Sequence, residues 1–247
     1  MPKKENIRRM FDSIAPSYDR LNHLMSLSVD KAWRRRALGE IVDGTPQRIL
    51  DIACGTGDST ISIARAAAPG SVVTGADISE GMLALVAEKV RKVSQVVLSE
   101  TPPATDRTGQ PVQIRLMVAD GENLPFEDGS FDRVSCAFGI RNFEHRETGL
   151  REFLRVLRPG GKAVILELSM PRGKVLRFLY GLYFFKVMPW IGGRISGDKA
   201  AYKYLPASVK AFPSPEQFCR IMQEAGFSYV RFRTFSMGLC RMFIGQK

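Results

Sequence analysis

Leu50-Asp51-Ile52-Ala53-Cys54-Gly55-Thr56-Gly57-Asp58 is an apolar run that ends in an acidic residue and a Gly-x-Gly turn. After a helix-length gap, Val72-Val73-Thr74-Gly75-Ala76-Asp77-Ile78 repeats the theme, with Asp77 22 positions past Gly55. The pattern reads as strand, tight turn, helix, strand. Glycines at the turn let the backbone approach a ligand, and the second carboxylate can accept from both hydroxyls of a ribose. A dinucleotide fold shares this geometry, but Thr60 stands where its third glycine would be. A phosphate-binding G-x-x-x-x-G-K-[ST] loop is missing as well. Asp51 and Asp58 flank the turn and would repel a pyrophosphate. A cationic ligand bearing a ribose suits this charge better, and S-adenosylmethionine (SAM) carries an ammonium, a sulfonium and a ribose.

Working outward, residues 5–43 read as helical, with Asp12 or Ser13 as a possible cap and a break at Pro16. Strands are expected at Arg48–Ala53, Val72–Ile78, Gln113–Ala119, Phe131–Ala137 and Lys162–Leu168. Helices are expected at Asp58–Ala68, Glu80–Val93 and Glu147–Leu157, the last ended by Pro159-Gly160-Gly161. Residues 99–111, with three prolines and a glycine, read as a loop. Residues 173–212 read as a mostly helical insertion. Ser214 caps a helix over Pro215–Ala225 that Gly226 ends, and Tyr229–Phe235 with Arg241–Gly245 form a closing hairpin. Alternating strands and helices imply an α/β, doubly wound, largely parallel sheet of seven strands. The whole chain is expected to be one domain, with residues 1–43 as a helical lid.

A hydrophobic content of 45% permits a sizeable core in 247 residues. Cys54, Cys136, Cys219 and Cys240 form no C-x-x-C pair and read as reduced thiols in a cytoplasmic protein. With two histidines, the chain has little from which to build a metal site. The N-terminus lacks the apolar core of a signal peptide, and no apolar run is long enough to span a membrane. The net charge is +11, and residues 170–210 hold +7 of it beside Phe178-Leu179-Tyr180-Gly181-Leu182-Tyr183-Phe184-Phe185. Such a segment can sit on an anionic membrane surface. It can equally be a solvated basic face over buried aromatics.

Several further segments resemble the quinone-biosynthesis C-methyltransferases, which comprise demethylmenaquinone methyltransferase and 2-methoxy-6-polyprenyl-1,4-benzoquinol methylase. They are Met10–Asn22, the glycine loop, Ala119–Phe126, Phe138-Gly139-Ile140-Arg141-Asn142, Leu157–Gly161 and Tyr202-Lys203-Tyr204-Leu205-Pro206. The resemblance implies a class I SAM-dependent methyltransferase with an antiparallel last strand. Its acceptor would be a polyprenylated quinol, demethylmenaquinol before a benzoquinol. A place on the inner face of the cell membrane would suit that substrate.

Cofactor contacts are expected from Asp51, Gly55, Thr56, Gly57, Asp77, Asp120 and Gly121. Asp77 is the ribose residue, and Ser79 caps the next helix better than it does. Asp120 is placed to accept from the adenine amino group, with Gly121 allowing close approach. Asp51 reaches the ammonium or braces the loop. Arg141 and Asn142 are the catalytic candidates. A guanidinium beside a ring hydroxyl would favour the phenolate that makes the ring carbon nucleophilic. The other reading of Arg141 is an ion pair with Asp12 or Asp19. Tyr18, Asp19 and Asn22 belong to the lid, while Tyr202, Tyr204 and Ser208 would line the opposite wall. Ala137 stands where the family often has a hydroxyl. His23 and His145 read as surface or capping residues, and Val175–Ile191 as a groove for an isoprenoid tail. A nucleic-acid methyltransferase is the rival suggested by charge, but its Asn/Asp-Pro-Pro-aromatic segment is replaced by Ala137-Phe138-Gly139-Ile140. A non-catalytic SAM-binding module is the third reading.

Overall fold

The computed structural model describes residues 4–15, 18, 29–93, 96–99, 110–171, 173, 178, 180–182 and 199–247. Asp19, Asn22, His23, the 100–109 stretch and most of the 174–198 segment lie outside the described residues. So does the side chain of Tyr202.

Strand β1 (Arg48–Ile52) is buried along all but its first residue, and β2 (Val72–Asp77) along its whole length. Both pair in parallel, and β1 also pairs with β5 (Phe131–Ala137) on its other side. Strands this apolar on both faces belong in the middle of a sheet covered by helices. The sheet runs β3-β4-β2-β1-β5-β6-β8-β7, with β3 at Val96–Leu98, β4 at Val112–Val118, β6 at Leu157–Leu168, β7 at Ser228–Phe235 and β8 at Cys240–Gln246. It has eight strands rather than the expected seven. The extra one, β3, is three residues long and pairs only with β4. So short an edge strand shows no alternation to read. Strand β8 runs antiparallel to β6 and β7, as the resemblance implied.

Helices α3 (Asp58–Ala66) and α4 (Glu80–Val90) follow β1 and β2, and α5 (Arg146–Val156) follows β5. Ser79 caps α4, its hydroxyl accepting from the Met82 N–H at 3.1 Å. At the N-terminus stand α1 (Lys4–Ile14) and α2 (Val29–Ile41). Helix α1 runs on through Asp12 and Ser13, so neither is a cap. Ser13 donates back to the Met10 carbonyl, and Asp12 accepts from the Ser79 hydroxyl. Helix α6 (Lys199–Ala211) precedes α7 (Pro215–Glu224), where Ser214 and Gln217 form a capping box.

Two apolar clusters fill the faces of the sheet. One holds Trp33, Ile63, Val86 and Ile114, and the other Leu150, Phe153, Phe218 and Phe243. All four cysteines are free thiols. Among the described residues, no helix is long and apolar enough to cross a membrane.

Candidate active site

The strand order reverses between β1 and β5, and crevices at the carboxyl ends of parallel strands beside such a reversal bind ligands. A cleft of about 710 Å³, counting space open to solvent, lies there. Ala53 and Gly55 after β1, Asp77 at the end of β2, Asp120 after β4 and Phe138 after β5 form its floor, and Lys4, Ile7 and Phe11 of α1 cover one side.

Asp77 is the centre of the floor. One oxygen accepts from the Gly55 N–H at 2.8 Å, the other from the Ser79 N–H at 3.0 Å. The carboxylate therefore ties the glycine turn to the start of α4 while facing the cleft. Burial raises its pKa, and the three backbone N–H groups of Ser79, Gly55 and Ile78 oppose that rise.

The flanking aspartates behave otherwise than their positions suggested. Asp51 is 0% exposed, accepts from the Thr60 hydroxyl at 2.7 Å and is absent from the cleft wall. Of its two readings, bracing the loop is the one its contacts serve. Burial pushes its pKa up to about 6, with the Thr60 and Ser135 hydroxyls pulling the other way. Asp58 bonds to Lys89 at 2.8 Å. The acidity of the cleft comes instead from Asp77, Asp120, Glu122 and Glu144.

The glycines also divide. Gly55 (φ +56°) is open toward the cleft, where the nearest atom to an added Cβ is on the Tyr18 ring, 3.9 Å off. At Gly57 (φ +81°) an added Cβ would lie 2.5 Å from Val86, so this glycine packs the turn on α4. Gly121 lines the cleft beside Asp120, and a Cβ there would lie 2.4 Å from the Phe143 ring, so packing also requires this glycine. Thr56 is buried and lies behind the wall.

Asp120 lines the cleft and accepts from the Lys4 ammonium, while its other oxygen takes the Glu122 N–H at 3.0 Å. That bond, with the charges of Asp120, Glu122 and Glu144, raises the Lys4 pKa. Nothing in the sequence near Lys4 announces this contact, which spans 116 residues.

After β5 the chain makes a strained turn. Phe138 has φ +63° and Ala53, opposite it, φ +52°. A Cβ on Gly139 would meet the Ala53 Cβ at 2.5 Å, so the two loops need this glycine to approach. Phe138 packs against Trp33 and beneath the Arg34 guanidinium, 5.0 Å from its ring centre. Ile140–Asn142 then forms a short 3-10 turn.

Asp19 lies outside the described residues. Arg141 is buried, and its carboxylate partner among the described residues is Glu167 rather than Asp12. Its guanidinium donates to Glu167 at 2.7 Å and to the Phe138 carbonyl, and its backbone N–H donates to Glu167 at 3.1 Å. Burial alone would lower the guanidinium's pKa; Glu167 together with Tyr18 and Tyr204 outweighs it, and the net shift is upward. Glu167, wholly buried at the end of β6, was not singled out from sequence. A carboxylate in an apolar strand run was the available signal. Asn142 lies on the cleft wall and accepts from the Tyr204 hydroxyl of α6 at 3.0 Å. Burial raises the Tyr204 pKa, while Arg141 and Arg146 lower it. Tyr18 is on the wall, edge-on to Phe11. Ser208 donates within its own helix to the Leu205 carbonyl. His145 meets Glu122 from the surface. Ala137 lines the cleft without a polar side-chain atom.

A sequence model of the ubiE/COQ5 methyltransferase family matches residues 1–247. The chain belongs to the ubiE/COQ5 methyltransferase family. Within it, the "Ubiquinone/menaquinone biosynthesis C-methyltransferase UbiE" of Geobacter sulfurreducens is 44% identical, over 99% of this chain and 90% of that protein. The "Demethylmenaquinone methyltransferase" of Bacteroides fragilis is 40% identical, over 99% and 94%. Among solved structures, a SAM-dependent methyltransferase from Thermotoga maritima, titled a possible histamine N-methyltransferase, superposes with a TM-score of 0.64 at 18% identity. It covers 97% of this chain and 99% of its own, and at that identity it speaks for the fold. The methyl donor of this family is SAM, and the cleft fits it. A buried carboxylate at the end of β2 suits a ribose, the half-buried Asp120 after β4 an adenine amino group, and an acidic wall suits a cation.

Proposed function

We propose that this methyltransferase transfers a methyl group from SAM to a ring carbon of a polyprenylated quinol, with demethylmenaquinol as its acceptor. The observation that carries the reading is the pairing of Asp77 with the glycine turn on one side of the cleft and the Tyr204–Asn142 pair on the other. Membership of a quinone C-methyltransferase family and relatives named for demethylmenaquinone support the choice of acceptor.

SAM supplies an electrophilic methyl group. The chain's own residues hold both reactants and make the ring nucleophilic. Asp77 takes the ribose and Asp120 the adenine edge, with the Gly55 turn beneath. Asn142, steadied by Tyr204, meets a ring oxygen of the acceptor, and Tyr18 closes the same side. Arg141 sits one position behind that wall and acts there by holding the turn to Glu167. Loss of the hydroxyl proton leaves an electron pair on the ring oxygen, conjugation carries it to the ring carbon, and that carbon's proton leaves after the new C–C bond forms. A medium of low dielectric around Asn142 strengthens any bond to the developing phenolate.

The chain acts as one domain, with residues 1–43 as lid and 173–212 as an insertion that meets the membrane. Phe178 is 70% exposed and Leu182 also projects to solvent, which suits an apolar contact. The basic residues Arg172, Lys174, Arg177 and Lys186 lie outside the described residues. Liposomes with and without anionic lipid, at low and high salt, test this part.

The test of the activity is direct. Purified chain, SAM and demethylmenaquinol should yield the methylated quinol by mass spectrometry, and a benzoquinol precursor should react more slowly. Product from the benzoquinol alone would reassign the acceptor. SAM binding without product from either would favour the non-catalytic reading.

A further inference from the structure

Arg146 opens α5 and is 7% exposed, yet no carboxylate among the described residues pairs with it. Its buried Nε has no hydrogen-bond partner. Nη2 makes one long bond, 3.4 Å, to the Arg141 carbonyl, and the guanidinium stands 5.5 Å from the centre of the Phe212 ring. A buried, unpaired cation is costly, and the start of a helix is the end whose dipole repels it. The fold thus holds a positive charge where solvation, pairing and the helix all disfavour it. An anion arriving nearby would balance that charge.

The surroundings locate the anion. On its own helix, Glu147 attracts Arg146 but is exposed to solvent, which screens it, and burial still lowers the Arg146 pKa. His145, the cap residue, is turned to Glu122. From β6, Glu167 is taken by Arg141, so those two charges offset one another. From α6, Tyr204 faces both arginines and donates to Asn142 on the cleft wall. Phe212 is apolar. What remains of these groups in the buried interior is one positive charge, Arg146, reaching the Arg141 carbonyl next to Asn142 in sequence.

We propose that Arg146 is a positioning residue for the acceptor, an unneutralised cation that acts through Tyr204 and Asn142 to favour the anionic ring oxygen of a bound quinol. This rests on the reading of the cleft as a quinol methylation site. Arg141, neutralised by Glu167, holds the turn; Arg146 supplies the field. The proton leaves the quinol hydroxyl for solvent, and the electron pair it leaves behind is what the charge stabilises.

Two measurements test this on the intact chain. In Arg146→Gln, the limb of the kcat–pH profile at saturating substrates should move up by about one pH unit. Turnover near neutrality should fall about tenfold and recover in alkali, while Arg146→Lys keeps the wild-type limb. Loss of an unpaired buried charge should leave the melting temperature equal or higher. The second measurement is the ultraviolet titration of a bound phenol that cannot be methylated. Its pKa should be lower in wild type than in Arg146→Gln. A superimposable pH limb in Arg146→Gln, or a fall in melting temperature with no change in the limb, would overturn the proposal. If wild type methylates no quinol but still lowers the phenol's pKa through Arg146, the anion seat stands and the choice of substrate falls.

Discussion

Arg141 and Glu167 meet twice: one carboxylate receives both the guanidinium, at 2.7 Å, and the backbone N–H, at 3.1 Å, of the same arginine. The double contact fastens the 3-10 turn after β5 to the end of β6, and so fixes where Asn142 enters the cleft. Side-chain exposures of 5% and 0% mean that each charge depends on the other. Glu167→Gln should therefore cost about 3–5 kcal/mol of unfolding free energy, the usual result of leaving one member of a buried pair alone. Urea denaturation measures it. A loss under about 1 kcal/mol would mean that water already reaches the pair.

Asp77→Asn keeps the size of the side chain but loses its charge and one acceptor. Each charge-assisted bond is worth about 1.5–3 kcal/mol, so SAM should bind roughly ten- to a hundredfold more weakly. Calorimetric titration of folded variant gives the answer. Unchanged affinity would remove Asp77 from the ribose.

Lys4 occupies one Asp120 oxygen, in competition with the adenine contact proposed for that carboxylate, and adds positive charge to an otherwise acidic cleft. Lys4→Gln should therefore bind SAM a few-fold more tightly than wild type, and the difference should shrink as salt screens the charge. Stopped-flow binding at two salt concentrations checks both points. Weaker binding would show that Lys4 helps to hold the cofactor.

Asp51 has a folded pKa of about 6 against an ordinary 3.8. Because it is raised, the folded state holds the proton more firmly than the unfolded chain. Its contribution is fully present below about pH 4 and is lost as pH rises through 6, a fall of about 2–3 kcal/mol. Asp51→Asn should flatten that part of the stability curve. An unchanged slope would mean that the carboxyl ionises in the folded protein much as it does in water.

Gly57 and Gly160 have nearly the same φ, +81° and +77°, but differ in space. An added Cβ meets Val86 at 2.5 Å in the first and nothing within 4 Å in the second. Gly160→Ala should cost about 1 kcal/mol of backbone strain. Gly57→Ala should add about 1–3 kcal/mol of overpacking. Thermal unfolding of both variants separates strain from crowding, and equal losses would show that Val86 yields.

The sequence by itself determined the order of strands and helices, the two turns that frame the cleft, the caps at Ser79 and Ser214, and the resemblance carried by Phe138–Asn142. These are local properties: apolar periodicity, a glycine at a tight turn, a hydroxyl before a helix. Only the tertiary structure decided which charges face the ligand. Asp51 and Asp58 look alike beside the glycine turn, yet Thr60 covers one and Lys89 takes the other. Lys4 meets Asp120 across 116 residues, and Tyr204 meets Asn142 across 62. Strand β3 went unread because three residues have no period, and its existence depends on the edge that β4 offers. Arg141 and Arg146 lie five residues apart and carry the same charge, but Glu167 neutralises only the first. That difference depends on where a distant strand ends, which no local pattern records.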